Sequence, residues 1–120
     1  EVTRLVLCSG KVYYDIRAEI ELQKLGNVAL LRVEQFYPFP KRAIEDWVNS
    51  YARSVEVVWA QEEPQNMGAW TFMRPRLEEL TGRRRLRYAG RTASASPSTG
   101  NYVIHGPEQS QLVKNALGIK

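Results

Sequence analysis

Hydrophobic positions along the chain fall into two alternating patterns. The runs Arg4–Cys8, Val28–Val33 and Val55–Ala60 are nearly continuous in apolar residues, which predicts strands covered on both faces, and Arg85–Ala89 predicts a fourth strand. Between them the spacing changes to three and four. Val12, Tyr13, Ile16 and Ile20 predict a helix after Ser9-Gly10, closed by Gly26-Asn27. Ile44, Trp47, Val48 and Tyr51 predict a second, with Pro40 at or just before its first turn. Ala69, Phe72, Met73, Leu77 and Leu80 predict a third, in which Pro75 removes a backbone donor and implies a kink or a restart. A last helix from about Pro107 to Leu117 turns Leu112, Val113, Ala116 and Leu117 inward.

Strict strand–helix alternation implies a mostly parallel sheet with helices on both faces and right-handed crossovers. In open sheets of this kind ligands and partners gather at the carboxyl ends of the strands. Ser9-Gly10-Lys11, Glu34–Pro40, Gln61–Gly68 and Gly90–Gly100 should therefore share one rim. The small polar run Thr92–Gly100 reads, on composition, as a flexible loop.

The chain has 120 residues, 43% apolar and 25% charged, which is one ordinary globular domain able to bury about two thirds of its unfolded surface. Its lone cysteine, Cys8, lies in an apolar run and reads as a buried, inert thiol. No apolar stretch approaches the ~20 residues of a membrane span and no leader pattern opens the chain, so the expected setting is the cytosol or an organelle matrix. A strand almost at residue 1 suits a domain cut from a longer polypeptide. The net charge is +4, and it is unevenly placed. Between Arg74 and Arg91, seven arginines face two glutamates, whereas the remainder carries ten basic and eleven acidic residues.

Several residues could carry chemistry. Ser9-Gly10-Lys11 at a strand-to-helix turn could attract an anion, but position 12 is Val, so the phosphate-loop pattern is absent and a tight turn with a surface Lys11 is the simpler reading. Glu34, Glu62 and Glu63 fall on the predicted rim, where carboxylates could do acid–base work, bind a cation or complement a helix dipole. Asn66 reads as a helix N-cap, and Gly68 marks a place of close backbone approach. With one Cys and one His, His105, no His-His metal site can be built and zinc is excluded, and His105 reads as structural. Arg83, Arg85 and Arg87 would share one face of a strand, and Arg91 with Ser94 and Ser96 could complete an anion site. The plainer reading is a charged edge strand or a set of interdomain salt bridges. Nucleic acid is disfavoured, because no recognised binding motif accompanies the arginines.

Four strings go further. Leu5-Val6-Leu7-Cys8-Ser9-Gly10-Lys11-Val12-Tyr13-Tyr14-Asp15, Arg32-Val33-Glu34-Gln35-Phe36-Tyr37-Pro38-Phe39-Pro40, Gln61-Glu62-Glu63-Pro64-Gln65-Asn66-Met67-Gly68-Ala69-Trp70 and Tyr88-Ala89-Gly90-Arg91-Thr92-Ala93-Ser94-Ala95-Ser96-Pro97 recur in this order in one family. Together with Gly100-Asn101-Tyr102-Val103 and His105, they make nearly the whole chain resemble the C-terminal domain of the thiamine-diphosphate-dependent first component of the 2-oxoglutarate dehydrogenase complex. The resemblance implies a transketolase C-terminal-type fold: α/β, three-layer α/β/α, with a mostly parallel five-stranded sheet, the fifth strand falling near Tyr102–His105. It implies an enzyme that decarboxylates 2-oxoglutarate on thiamine diphosphate and passes the succinyl group to a lipoyl arm of the dihydrolipoyl succinyltransferase component. Thiamine diphosphate and Mg²⁺ would be bound by preceding domains, since this chain has no Gly-Asp-Gly motif with a following Asn, and the 120 residues alone would hold no catalytic or metal residue.

What the resemblance leaves to this domain is support of a homodimeric active-site assembly and, in some relatives, recognition of CoA or an adenine nucleotide. Glu62, Glu63, Asn66, Gly68 and Trp70 become candidates for contact with the other domains. Lys11, Arg85, Arg87, Arg91, Ser94 and Ser96 are the effector or phosphate candidates, with the Ser94–Ser96 stretch an ordered loop rather than a linker. The alternative is a stand-alone regulatory module binding CoA or an adenine nucleotide through Arg85, Arg87 and Arg91. Arg83-Arg84-Arg85 matches no family pattern. The implied setting is bacterial cytoplasm or mitochondrial matrix.

Overall fold

A computed structural model describes residues 1–91 and 106–120. The elements are β1 (Arg4–Cys8), α1 (Val12–Gln23), β2 (Val28–Arg32), α2 (Lys41–Asn49), β3 (Glu56–Pro64), α3 (Trp70–Thr81), β4 (Leu86–Arg91) and α4 (Gly106–Leu117). Four strands form one sheet in the order β2-β1-β3-β4, and every pairing is parallel. The five-stranded expectation is thus corrected to four strands among the described residues; Tyr102–His105 lies outside them.

The three layers follow from the alternation of side chains along the strands. Leu5, Leu7, Val57 and Trp59 face α2 and α3, where they pack on Ile44, Val48, Trp70, Met73, Leu77 and Leu80. Val6, Cys8, Val58, Ala60 and Ala89 face α1 and α4, against Val12, Ile16, Leu112, Val113, Ala116 and Leu117. β1 and β3 are central and almost wholly buried, but β2 is half-exposed along its length because it forms an edge of the sheet.

Three terminal features differ from expectation, each because a side chain or turn elsewhere in the chain meets the need. α1 ends at Lys24, which takes the left-handed conformation (φ 55°, ψ 49°), and the Leu25 amide returns to the Ile20 carbonyl at 3.0 Å; Gly26 is not the cap. Asn27 instead anchors β1, accepting from the Thr3 and Arg4 amides at 2.9 and 3.2 Å. α3 starts at Trp70, four residues beyond Asn66, and runs unbroken through Pro75. Beside that proline the Arg76 guanidinium donates to the Phe72 carbonyl at 2.7 Å and lies over the Phe72 ring, 3.6 Å from its centroid.

Candidate functional site

β3 does not stop at Ala60. It continues to Pro64 with a shift of register, so that Ala60 pairs with Ala89 and Pro64 with Arg91, and the extra residues bulge toward the carboxyl ends of the strands. Gln61 makes this possible. It is 2% exposed, the polar end of a buried apolar strand. Its Oε1 accepts from the Trp59 indole at 2.9 Å and from the Trp70 amide at 2.8 Å; its Nε2 donates to the carbonyls of Glu63, Pro64 and Met67 at 3.2, 3.0 and 2.8 Å. One amide therefore fixes the 61–69 turn and serves the first amide of α3, the task expected of Asn66. Sequence reasoning quoted Gln61 only as part of a string; a lone polar residue closing Val57-Val58-Trp59-Ala60 was the signal that could have singled it out.

Two glycines of the rim, Gly68 and Gly90, permit close approach. A Cβ at Gly68, whose φ is +66°, would lie 2.9 Å from the Glu63 Cβ, and one at Gly90 would lie 2.5 Å from the Tyr88 hydroxyl and 2.7 Å from the Gln61 carbonyl. That hydroxyl folds back to donate to the Arg91 carbonyl at 2.7 Å, with the Glu63 carbonyl at 3.3 Å. Trp70 is buried against the Tyr88 ring at 5.2 Å and belongs to the core of this domain. Asn66 and Gly68 are exposed, Glu62 and Glu63 half-buried.

Next to this turn the side chains are charged. Gln109 of α4 donates to Asp15 at 2.7 Å and to Glu62 at 3.0 Å, holding two carboxylates together. Burial raises the Glu62 carboxyl above its ordinary range; the nearby Lys11 charge and the Gln109 bond oppose this, while Glu63 and Asp15 add to it. Arg91 lies 3.9 Å from Glu108. Glu34 pairs with Arg32 at 2.8 Å, and Arg32 also covers the rings of Tyr13 and Tyr14. Burial pushes the Cys8 thiol up to about 12, so it stays protonated and unreactive at neutral pH.

The structure brings Lys11, Glu62, Glu63, Asn66, Gly68, Trp70 and Arg91 to the carboxyl rim and separates Arg85 and Arg87 from it. Those two sit at the amino end of β4, where Arg87 meets Glu56 at 3.0 Å, Arg85 approaches it at 3.9 Å, and Arg4 joins at 2.6 Å. Arg83 precedes β4, so the expected face of three strand arginines is not formed. Ser94, Ser96 and His105 lie outside the described residues. Among the described residues no group of three His, Cys, Asp or Glu could hold a metal ion, and no helix is long and apolar enough to cross a membrane.

A wholly parallel, four-stranded sheet with helices on both faces makes this an α/β/α domain. A solved structure described as a split-gene transketolase, inactive beta4 tetramer, has the same fold: it matches all of this chain and 41% of its own at a TM-score of 0.61, with 15% identity. The chain belongs to the family described as 2-oxoglutarate dehydrogenase C-terminal, which matches residues 1–117. Among curated relatives, the 2-oxoglutarate dehydrogenase E1 components of Brucella anthropi and Brucella ovis are each 47% identical over 98% of the chain. The chain spans only 12% of the length of these relatives.

Proposed function

We propose that this chain is the C-terminal domain of a 2-oxoglutarate dehydrogenase first component and that it works by presenting a rigid carboxyl rim to the remaining domains of a homodimeric enzyme. The observation that carries this reading is the Gln61 network: five hydrogen bonds to one buried amide hold the Glu62–Ala69 turn in a single shape. Among the described residues, two of the three large apolar side chains left exposed, Tyr14 and Tyr37, stand at this rim, and the third, Leu22, stands near the far end of α1.

The residues described here do not fit thiamine diphosphate with Mg²⁺. Lys11 and Arg91 are set among Asp15, Glu62, Glu63 and Glu108, which would repel a diphosphate, and two carboxylates bridged by an amide are too few ligands for an octahedral ion. In this reading the cofactor is held elsewhere in the longer chain. There it supports decarboxylation of 2-oxoglutarate and succinyl transfer to the lipoyl group of the dihydrolipoyl succinyltransferase component, in bacterial cytoplasm or mitochondrial matrix.

Hydroxyl-radical footprinting tests the proposal. Tyr14, Tyr37 and Met67 should be labelled in the isolated chain and protected in the full-length enzyme, while Leu22 is labelled in both. Equal labelling of the rim in the two forms would refute it.

A further inference from the structure

The arginines that match no family pattern have separate positions and separate partners. Arg84 is structural. Its guanidinium donates to the carbonyls of Ala52, Tyr51 and Thr81 at 3.3, 3.1 and 3.4 Å and to Asn49 Oδ1 at 3.2 Å, tying the ends of α2 and α3 together and offsetting the negative ends of both helix dipoles. Arg85, Arg87 and Arg4 share the Glu56 carboxylate. Arg83 and, near it, Arg53 are both exposed, and neither is in an ion pair or side-chain hydrogen bond among the described residues.

These two arginines line the same cleft. It opens between the C-terminal ends of α2 and α3, has a volume of about 460 Å³, and is bounded by Asn49, Leu80, Thr81, Gly82 and Arg84 besides Arg53 and Arg83. We propose that this cleft binds a small phosphomonoester through Arg53 and Arg83. No Asp or Glu lines it, and with Arg84 turned to the helix-end carbonyls the charges available to a ligand are those of Arg53 and Arg83. Two guanidinium forks without carboxylate partners match a dianionic phosphate better than a monoanionic carboxylate, for which one fork suffices. Asn49, whose oxygen is occupied by Arg84, still has its amide donors to offer. The volume falls in the range of small-molecule sites, and Leu80 supplies an apolar wall for the rest of the ligand. The cleft is at the amino edge of the sheet, about 20 Å from the carboxyl rim by the length of β4, so the inference stands apart from the docking function.

The test is hydrogen exchange of the full-length enzyme with millimolar glycerol 3-phosphate, followed in peptides spanning 49–53 and 80–85. Exchange there should slow severalfold, rim peptides spanning 61–70 should not change, and glycerol alone should have no effect. Arg53→Gln and Arg83→Gln should each weaken the response about tenfold, and together abolish it. No protection in the wild-type enzyme, equal protection by glycerol, or protection that survives the double substitution would overturn the proposal.

Discussion

Replacing Gln61 with methionine keeps nearly the same volume and removes every hydrogen bond of the amide. The Trp59 indole N–H, on a side chain with no exposure, and the Trp70 amide would each lose their acceptor, and the carbonyls of Glu63, Pro64 and Met67 would lose a donor. Each buried donor left unpaired costs about 1–3 kcal/mol, giving about 2–6 kcal/mol for two. The added apolar burial of methionine returns about 1.5–3 kcal/mol, so from the midpoints of the two ranges the net loss should be about 2 kcal/mol. In a chain of this size that corresponds to roughly 10 °C in melting temperature. Urea unfolding of the 120-residue chain should show a lower midpoint with an unchanged slope, because the surface exposed on unfolding is the same. A loss below about 0.5 kcal/mol would show that the turn keeps its shape without Gln61 and would refute the reasoning.

Three further substitutions probe separate parts of the same account. Gly90→Ala should destabilise by about 1–3 kcal/mol in urea unfolding, and adding Tyr88→Phe should restore only part of this, because the backbone carbonyl of Gln61 still blocks the new methyl. Arg84→Met should lower stability by about 1–2 kcal/mol with little salt dependence, since its acceptors are neutral, whereas Arg83→Met should stay within about 0.5 kcal/mol. Because the folded protein holds the proton on Glu62 more tightly than the unfolded chain does, native stability falls as pH rises from the ordinary carboxylate value through the raised one. Glu62→Gln should therefore be more stable than wild type at neutral pH, and the difference should vanish in acid below the unfolded value; a less stable variant at neutral pH would contradict the assignment.

Much of the architecture was legible because it depends on local periodicity. Strands of continuous apolar residues and helices with three-to-four spacing appear where the pattern puts them, to within a residue or two at most ends, and strict alternation carries the parallel order with it. What was not legible rests on partners far apart in sequence. Arg84 reaches residues 32 to 35 positions earlier, and Gln109 reaches Asp15 across 94. No spacing rule announces such contacts. The caps failed for a related reason: a free helix end can be served by any donor or acceptor the fold delivers, so Gln61 took the amide assigned to Asn66, and Lys24 took the left-handed position assigned to the Gly26-Asn27 pair. The arginine cluster misled in a different way. Adjacent in sequence, its members point to different places, and only the structure shows that Arg84 holds helix ends while Arg85 and Arg87 turn to Glu56.

The central claim is that this domain acts by positioning the rest of a longer enzyme and not by chemistry of its own. Deletion of residues 1–120 from the full-length protein, with the 120-residue chain then added back, tests it most directly, reading 2-oxoglutarate-dependent succinylation of a lipoyl substrate together with the sedimentation of the dimer. The account predicts that deletion abolishes both turnover and dimer, that the separate chain is inactive, and that mixing the two restores activity. A truncated enzyme that remains dimeric and fully active would contradict it.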